Sequence, residues 1–140
     1  MKKRKSPKQG NITEYRGIKY RSKWEVYFAK LLLYSDIRNV YEPKRFFLTK
    51  TLSYLPDFYL PDYDVYAEVK GVLNQKDRIV LERFSEVENV VYFGKKQLSY
   101  IHEKPATTLS KIDIIRYNPT KREVMRFKEL LFYLIEKEKG

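Results

Sequence analysis

The sequence predicts a single α/β domain with a mixed central sheet flanked by helices. Three observations carry that expectation. Apolar residues recur at helical spacing over 23–34, where Trp24, Phe28, Leu31 and Leu32 share a face. Three strand-like stretches then follow with no helix between them. Finally, an amphipathic stretch over 76–86 leads into the short apolar run Asn89–Phe93, and a strand, helix, strand order implies a right-handed parallel crossover. The expected element order is α-β-β-β-α-β, with an extra helix near the C-terminal end.

Each element has local signals. Ser22 is a natural N-cap for the first helix, and Glu25 stands three residues later, as in a capping box. The first strand candidate spans 40–48, where Pro43 argues for an edge position or a bulge. The second spans 52–60 and ends at the turn pair Pro61-Asp62. The third spans 65–72, and its short return loop makes a hairpin with the second. Asn74 caps the second helix, whose inward residues are expected to be Ile79, Val80 and Phe84. A short helix is expected over 98–102 and a strand over 112–117. Pro119 is expected at the first position of a last helix running to about Lys137. That helix aligns Val124, Phe127, Leu131 and Leu134. Leu130, Phe132 and Tyr133 widen the stripe, which predicts a homodimer or higher homo-oligomer contact. Residues 1–14 lack periodicity and read as a flexible basic arm ahead of one domain over 15–140.

Composition narrows the function classes. Lys and Arg number 29 against 18 acids, a net charge of +11, and such a surplus attracts polyanions. The 13 tyrosines add side chains that stack on bases or bond phosphates. DNA is the expected partner, with Lys2, Lys3, Arg4 and Lys5 of the arm as phosphate contacts. There is no cysteine, which excludes disulfides, thiol nucleophiles and cysteine-ligated zinc. No apolar run reaches membrane-spanning length, and no apolar segment follows the basic start, so neither a membrane partner nor a secretory signal is expected. A cytoplasmic location follows. The single histidine, His102, is expected at the surface.

Glu68 and Lys70 lie two apart on the third strand candidate and share a face. The hairpin brings Asp57, which follows Pro56, back beside them. Two carboxylates converging on one point are costly unless a cation lies between them, and hard oxygen ligands select Mg2+, with Mn2+ as a substitute. Asp57 and Glu68 are the expected metal ligands, with the Val69 carbonyl as a further one. Lys70 then stands near the attacking water and the scissile phosphate. Arg21, Lys23, Gln75 and Lys76 are expected to reach the DNA around this centre.

Leu55-Pro56-Asp57-Phe58 followed by Ala67-Glu68-Val69-Lys70-Gly71 resembles the signature of the PD-(D/E)XK nuclease superfamily, and the element order is similar to its restriction-endonuclease-like core. Arg21-Ser22-Lys23-Trp24-Glu25 and Tyr41-Glu42-Pro43 look like its phage and transposon branches, among them the junction-resolving endonuclease I family and the nuclease subunit of heteromeric bacterial transposases. The resemblance covers roughly residues 20–93. It implies a metal-dependent DNA endonuclease in which Glu25 joins Asp57, Glu68 and Lys70 in catalysis and supports the metal, in a bacterial cell or a phage-infected host. It also implies a substrate class: branched DNA such as a Holliday junction, or else one site as for a homing or restriction-type enzyme. A transposase-like chain would need a partner protein. From another class, a non-catalytic DNA-binding or assembly protein on a nuclease fold is the competing expectation. The complete acid, acid and lysine set argues for the enzyme.

Overall fold

The computed structural model describes residues 12–140. Lys2, Lys3, Arg4 and Lys5 lie outside the described residues. The chain opens with a hairpin of β1 (Thr13–Tyr15) and β2 (Ile18–Tyr20), so Thr13 and Glu14 are strand residues and do not belong to the expected arm. The turn between the strands needs left-handed backbone at Arg16 and Gly17. Helix α1 (Lys23–Tyr34) has the expected bounds.

The expected strand over 40–48 is broken into β3 (Val40–Tyr41) and β4 (Phe46–Phe47). The break falls at Glu42, which has φ +47°, and at Pro43, which cannot donate to a ladder. The expected strand over 52–60 is likewise broken at Leu55-Pro56, giving β5 (Ser53–Tyr54) and β6 (Phe58–Leu60). β7 (Val65–Val69), α2 (Gln75–Ser85) and β8 (Val90–Phe93) follow, then α3 (Lys95–His102), a 3-10 turn (Ala106–Lys111) and α4 (Lys121–Lys139).

The central sheet has the order β3-β6-β7-β8, mixed as expected. β6 pairs antiparallel with β3 and β7, while β8 lies parallel to β7 after the α2 crossover. Pro43 does follow an edge strand. β4 and β5 form a separate two-stranded hairpin. α1 lies in the core and is buried far more widely than one stripe: Val26, Tyr27, Phe28, Leu31 and Leu32 have no exposed surface. Phe28 contacts the rings of Phe58, Phe93 and Phe127 at 4.9–5.4 Å, joining α1, the sheet and α4.

Other expectations are corrected. The residues 112–117 form a turn, not a strand. Their carbonyls are satisfied by an ammonium: fully buried Lys30 of α1 donates to the carbonyls of Ile114, Ile115 and Tyr117 at 2.5–2.8 Å. His102 is buried, not superficial. Its Nδ1 lies 3.0 Å from Glu123 Oε2, which also accepts the Tyr117 hydroxyl. Pro119 precedes the cap of α4, because Thr120 is the N-cap and makes a capping box with Glu123. Ile79 is exposed, since α2 buries only Val80 and Phe84 against the sheet. On α4, Phe127 and Leu131 are buried as expected, whereas Phe132 and Tyr133 stay exposed.

Lys30 ties α1 to this turn's carbonyls. Lys30→Met removes the charge while keeping the stem. It is expected to lower the unfolding free energy by about 2–4 kcal/mol, because three carbonyls lose charge-assisted partners. Urea denaturation checks this, and a loss within error of zero would show that the turn does not depend on the ammonium.

Candidate active site

A cleft of about 740 Å3 opens where α1, the ends of β6 and β7, the β4–β5 hairpin and the start of α2 meet. It is lined by Glu25, Asp57, Glu68, Val69 and Lys70, so α1, the bend before β6 and the end of β7 bring the expected catalytic set together. Arg21, Lys23 and Lys76 line it as well. Gln75 does not: it is exposed at the first position of α2. Arg21 is engaged with Glu42 at 2.5 Å, and Lys23 Nζ donates to the Ser110 carbonyl at 3.2 Å.

Asp57 sits at the bend just before β6, not within a strand. Pro56 restricts the residue before it and stops the hairpin strand, and the chain re-enters the sheet at Phe58. Asp57 is buried, and its Oδ2 accepts the Val69 amide at 2.8 Å. Val69 is therefore tied to the centre through its N–H. The Asp57 carbonyl accepts the Glu42 amide at 2.8 Å, so the bend is held from both sides.

Glu25 is buried at the first turn of α1. Only half of the expected capping box forms. Ser22 Oγ accepts the Glu25 amide at 3.2 Å. The Glu25 carboxylate reaches past Ser22 and accepts the Arg21 amide at 2.9 Å and the Tyr41 hydroxyl at 2.7 Å. The Glu25 and Asp57 carboxyls lie close enough to perturb each other's ionisation.

Glu68, at the end of β7, is half-buried and accepts the Tyr54 hydroxyl at 2.5 Å. Lys70 stands just beyond β7 and pairs with Asp77 at 3.1 Å. Asp77 is also the acid of the α2 capping box with Asn74, so the helix start fixes the carboxylate that fixes the lysine. Sequence reasoning missed Asp77, Tyr41 and Tyr54. Asp77 left a signal as the acid three residues after the Asn74 cap, and Tyr41 stood only within the Tyr41-Glu42-Pro43 motif; the contacts of both tyrosines come from distant segments. Gly71 follows because Trp24 packs there: a Cβ on it would lie 2.8 Å from the indole ring.

The electrostatics follow from burial. Desolvation raises the Asp57 carboxyl well above the ordinary aspartate range, and the charges of Glu68 and Glu25 add to this. Glu25 is raised mainly by burial, against hydrogen bonds from Tyr41 and Arg21. Burial pushes Glu68 up to about 7, with Lys70 opposing. Among the described residues no three Asp, Glu, His or Cys side chains form a ready cation cage. The donor set nevertheless suits a hard cation: crowded, desolvated carboxyl oxygens at the edge of an open cleft.

Comparison with protein-family models, with curated proteins and with solved structures finds no match. Among the described residues no helix is long and apolar enough to cross a membrane.

A carboxyl whose native pKa lies above its unfolded one favours the fold while protonated. Its contribution is complete below the unfolded value of 4.5 and is lost as pH rises through about 7. Glu68→Gln keeps an acceptor for Tyr54 and removes this titration. It is expected to stabilise the metal-free protein by roughly 1–3 kcal/mol at pH 8 and to change little near pH 4. Chemical denaturation at both pH values reads the difference, and an equal effect at both would show that the carboxyl does not titrate abnormally.

Proposed function

We propose that the chain is a Mg2+-dependent DNA endonuclease on a restriction-endonuclease-like core, of the PD-(D/E)XK kind. The observation that carries this reading is the convergence of Asp57, Glu68, Glu25 and Lys70 in one basic-rimmed cleft, where burial and mutual repulsion raise the pKa of each acid. Buried acids that raise one another's pKa are poorly stable as a purely structural device, whereas such crowding is what a cation site looks like before its cation.

Asp57 and Glu68 would hold the ion, with Glu25 supporting it. A bound Mg2+ or Mn2+ supplies charge neutralisation at the scissile phosphate and acidifies a water. Lys70, steered by Asp77, orients the attacking water or donates to a phosphate oxygen as charge builds there. Water adds to phosphorus, and the bond to the leaving sugar oxygen breaks. Tyr41 and Tyr54 hold their carboxylates by hydroxyl donation and exclude other rotamers. Arg21, Lys23 and Lys76 on the rim take phosphates without reading sequence.

Supercoiled plasmid is expected to be nicked in Mg2+ and not in EDTA. Asp57→Ala, Glu68→Ala and Lys70→Ala are each expected to reduce the rate by about a hundredfold or more. Mg2+ should also raise the thermal midpoint of the wild type at pH 8 and fail to raise that of Asp57→Asn. Nicking that survives all three substitutions would overturn the enzyme reading.

Asp77→Asn keeps an oxygen acceptor for the Asn74 amide but removes the charge facing Lys70. It is expected to lower kcat about ten- to hundredfold with little change in KM. Single-turnover cleavage measures this, and a change confined to KM would assign Asp77 to binding instead.

A further inference from the structure

The β4–β5 hairpin is held by one face and presents the other. On the inner face Phe46, Leu48, Leu52 and Tyr54 pack with Tyr66, Val80 and Phe84. Phe46 and Tyr54 each meet the Phe84 ring edge-on, at 4.9 and 4.8 Å. The turn is closed by the Leu48 and Thr49 amides, which both donate to the Leu52 carbonyl. The hairpin is therefore fastened to α2.

The outer face carries Arg45 and Ser53 at the rim of the cleft, with Phe47 beside them. Residues two apart on a strand share a face, and so do cross-strand partners. Phe47 is the register partner of Ser53 and lies two residues from Arg45. Arg45 donates to Ser53 Oγ at 3.0 Å, and both line the cleft. Phe47 stands beside them with 78% of its surface exposed, the most of any large hydrophobic residue among those described. The surrounding segment carries Lys44, Arg45 and Lys50 and has no acid between Glu42 and Asp57.

Nothing in the fold requires phenylalanine at this position, since it buries little against the domain. An exposed aromatic face amid cations, next to two residues that line the cleft, suits a nucleobase that has left its stack: the ring takes the base and the cations take the flanking phosphates. Bases inside a regular duplex are closed to such a contact. We propose that Phe47 is a base-stacking contact that selects DNA with an unstacked base beside the cut, as at a junction, flap or nick. The proposal rests on the DNA endonuclease reading and names its substrate class.

The test compares wild type, Phe47→Ala and Phe47→Trp by fluorescence anisotropy in EDTA, on a labelled flap, a four-way junction and a linear duplex of the same sequence. Wild type should prefer the branched DNAs. Phe47→Ala should weaken branched binding about tenfold or more, leave duplex binding within about twofold, and keep the wild-type melting temperature. Phe47→Trp should retain the preference, with its emission changed by branched DNA more than by duplex. An unchanged branched-to-linear ratio in Phe47→Ala would overturn the proposal, as would a wild type without preference. Plasmid nicking in Mg2+ separates the two readings. If the alanine variant still nicks with an unchanged ratio, only this inference fails. If a Phe47-dependent preference exists and nothing is cut, only the nuclease chemistry fails.

Discussion

The site depends on one hydrogen bond, from the Val69 amide to Asp57 Oδ2. It is made across neighbouring strands, between the bend that precedes β6 and the end of β7. The bond holds a buried carboxyl in place and favours its charged form, against burial and the neighbouring acids, which raise its pKa. The sheet supplies the frame: β6 pairs with β7 so that Phe58 faces Ala67, which leaves Asp57 one step beyond the ladder and level with the Glu68–Val69 segment. Burying two acids this way opposes folding at neutral pH, and the aromatic contacts of Phe28 across three elements offset that opposition.

Around this bond the remaining groups are arranged in pairs, each fixing another. Tyr41 fixes Glu25, Tyr54 fixes Glu68, and Asp77 fixes Lys70. The positioning groups come from the edge strand, the separate hairpin and the cap of α2. None belongs to the strands that carry the acids. This division makes the site rigid in direction while leaving the open side of the cleft free for a substrate. It also explains the breaks in the expected strands. The Glu42–Pro43 and Leu55–Pro56 interruptions release β4 and β5 from the central sheet, and the released hairpin becomes a wall of the cleft carrying Tyr54 inward.

Much of this was legible in the sequence because it is local. The bounds of α1, the Asn74 cap, the β6–β7 hairpin and the parallel crossover all follow from period and turn chemistry within short windows. The meeting of Asp57, Glu68 and Lys70 followed from strand period plus one hairpin. What stayed hidden was set by distant partners. The Ile-Asp-Ile-Ile-Arg-Tyr run has strand-like composition, yet it forms a turn because Lys30, more than eighty residues away, satisfies its carbonyls. His102 gave no sign of burial because its partner Glu123 doubles as a cap residue of α4. The reach of the Glu25 carboxylate to Arg21 and Tyr41 could not be told from a capping box, because both arrangements place glutamate three residues after serine.

That last ambiguity has a physical resolution. A capping carboxylate earns its stability at a solvated helix start, where it satisfies a backbone amide and interacts with the helix dipole. Glu25 instead sits in a buried pocket beside Asp57, raised in pKa mainly by desolvation. A cap alone would be served as well by glutamine, with no charge to desolvate. A residue that can lose a proton in a dry pocket beside a second such residue is useful when something positive replaces the proton. The capping geometry and the proposed cation role are then compatible: Ser22 caps the helix through the Glu25 amide, and the freed carboxylate turns toward Asp57. The helix start thereby fixes the third acid of the site by its backbone, just as the start of α2 fixes Lys70 through Asp77.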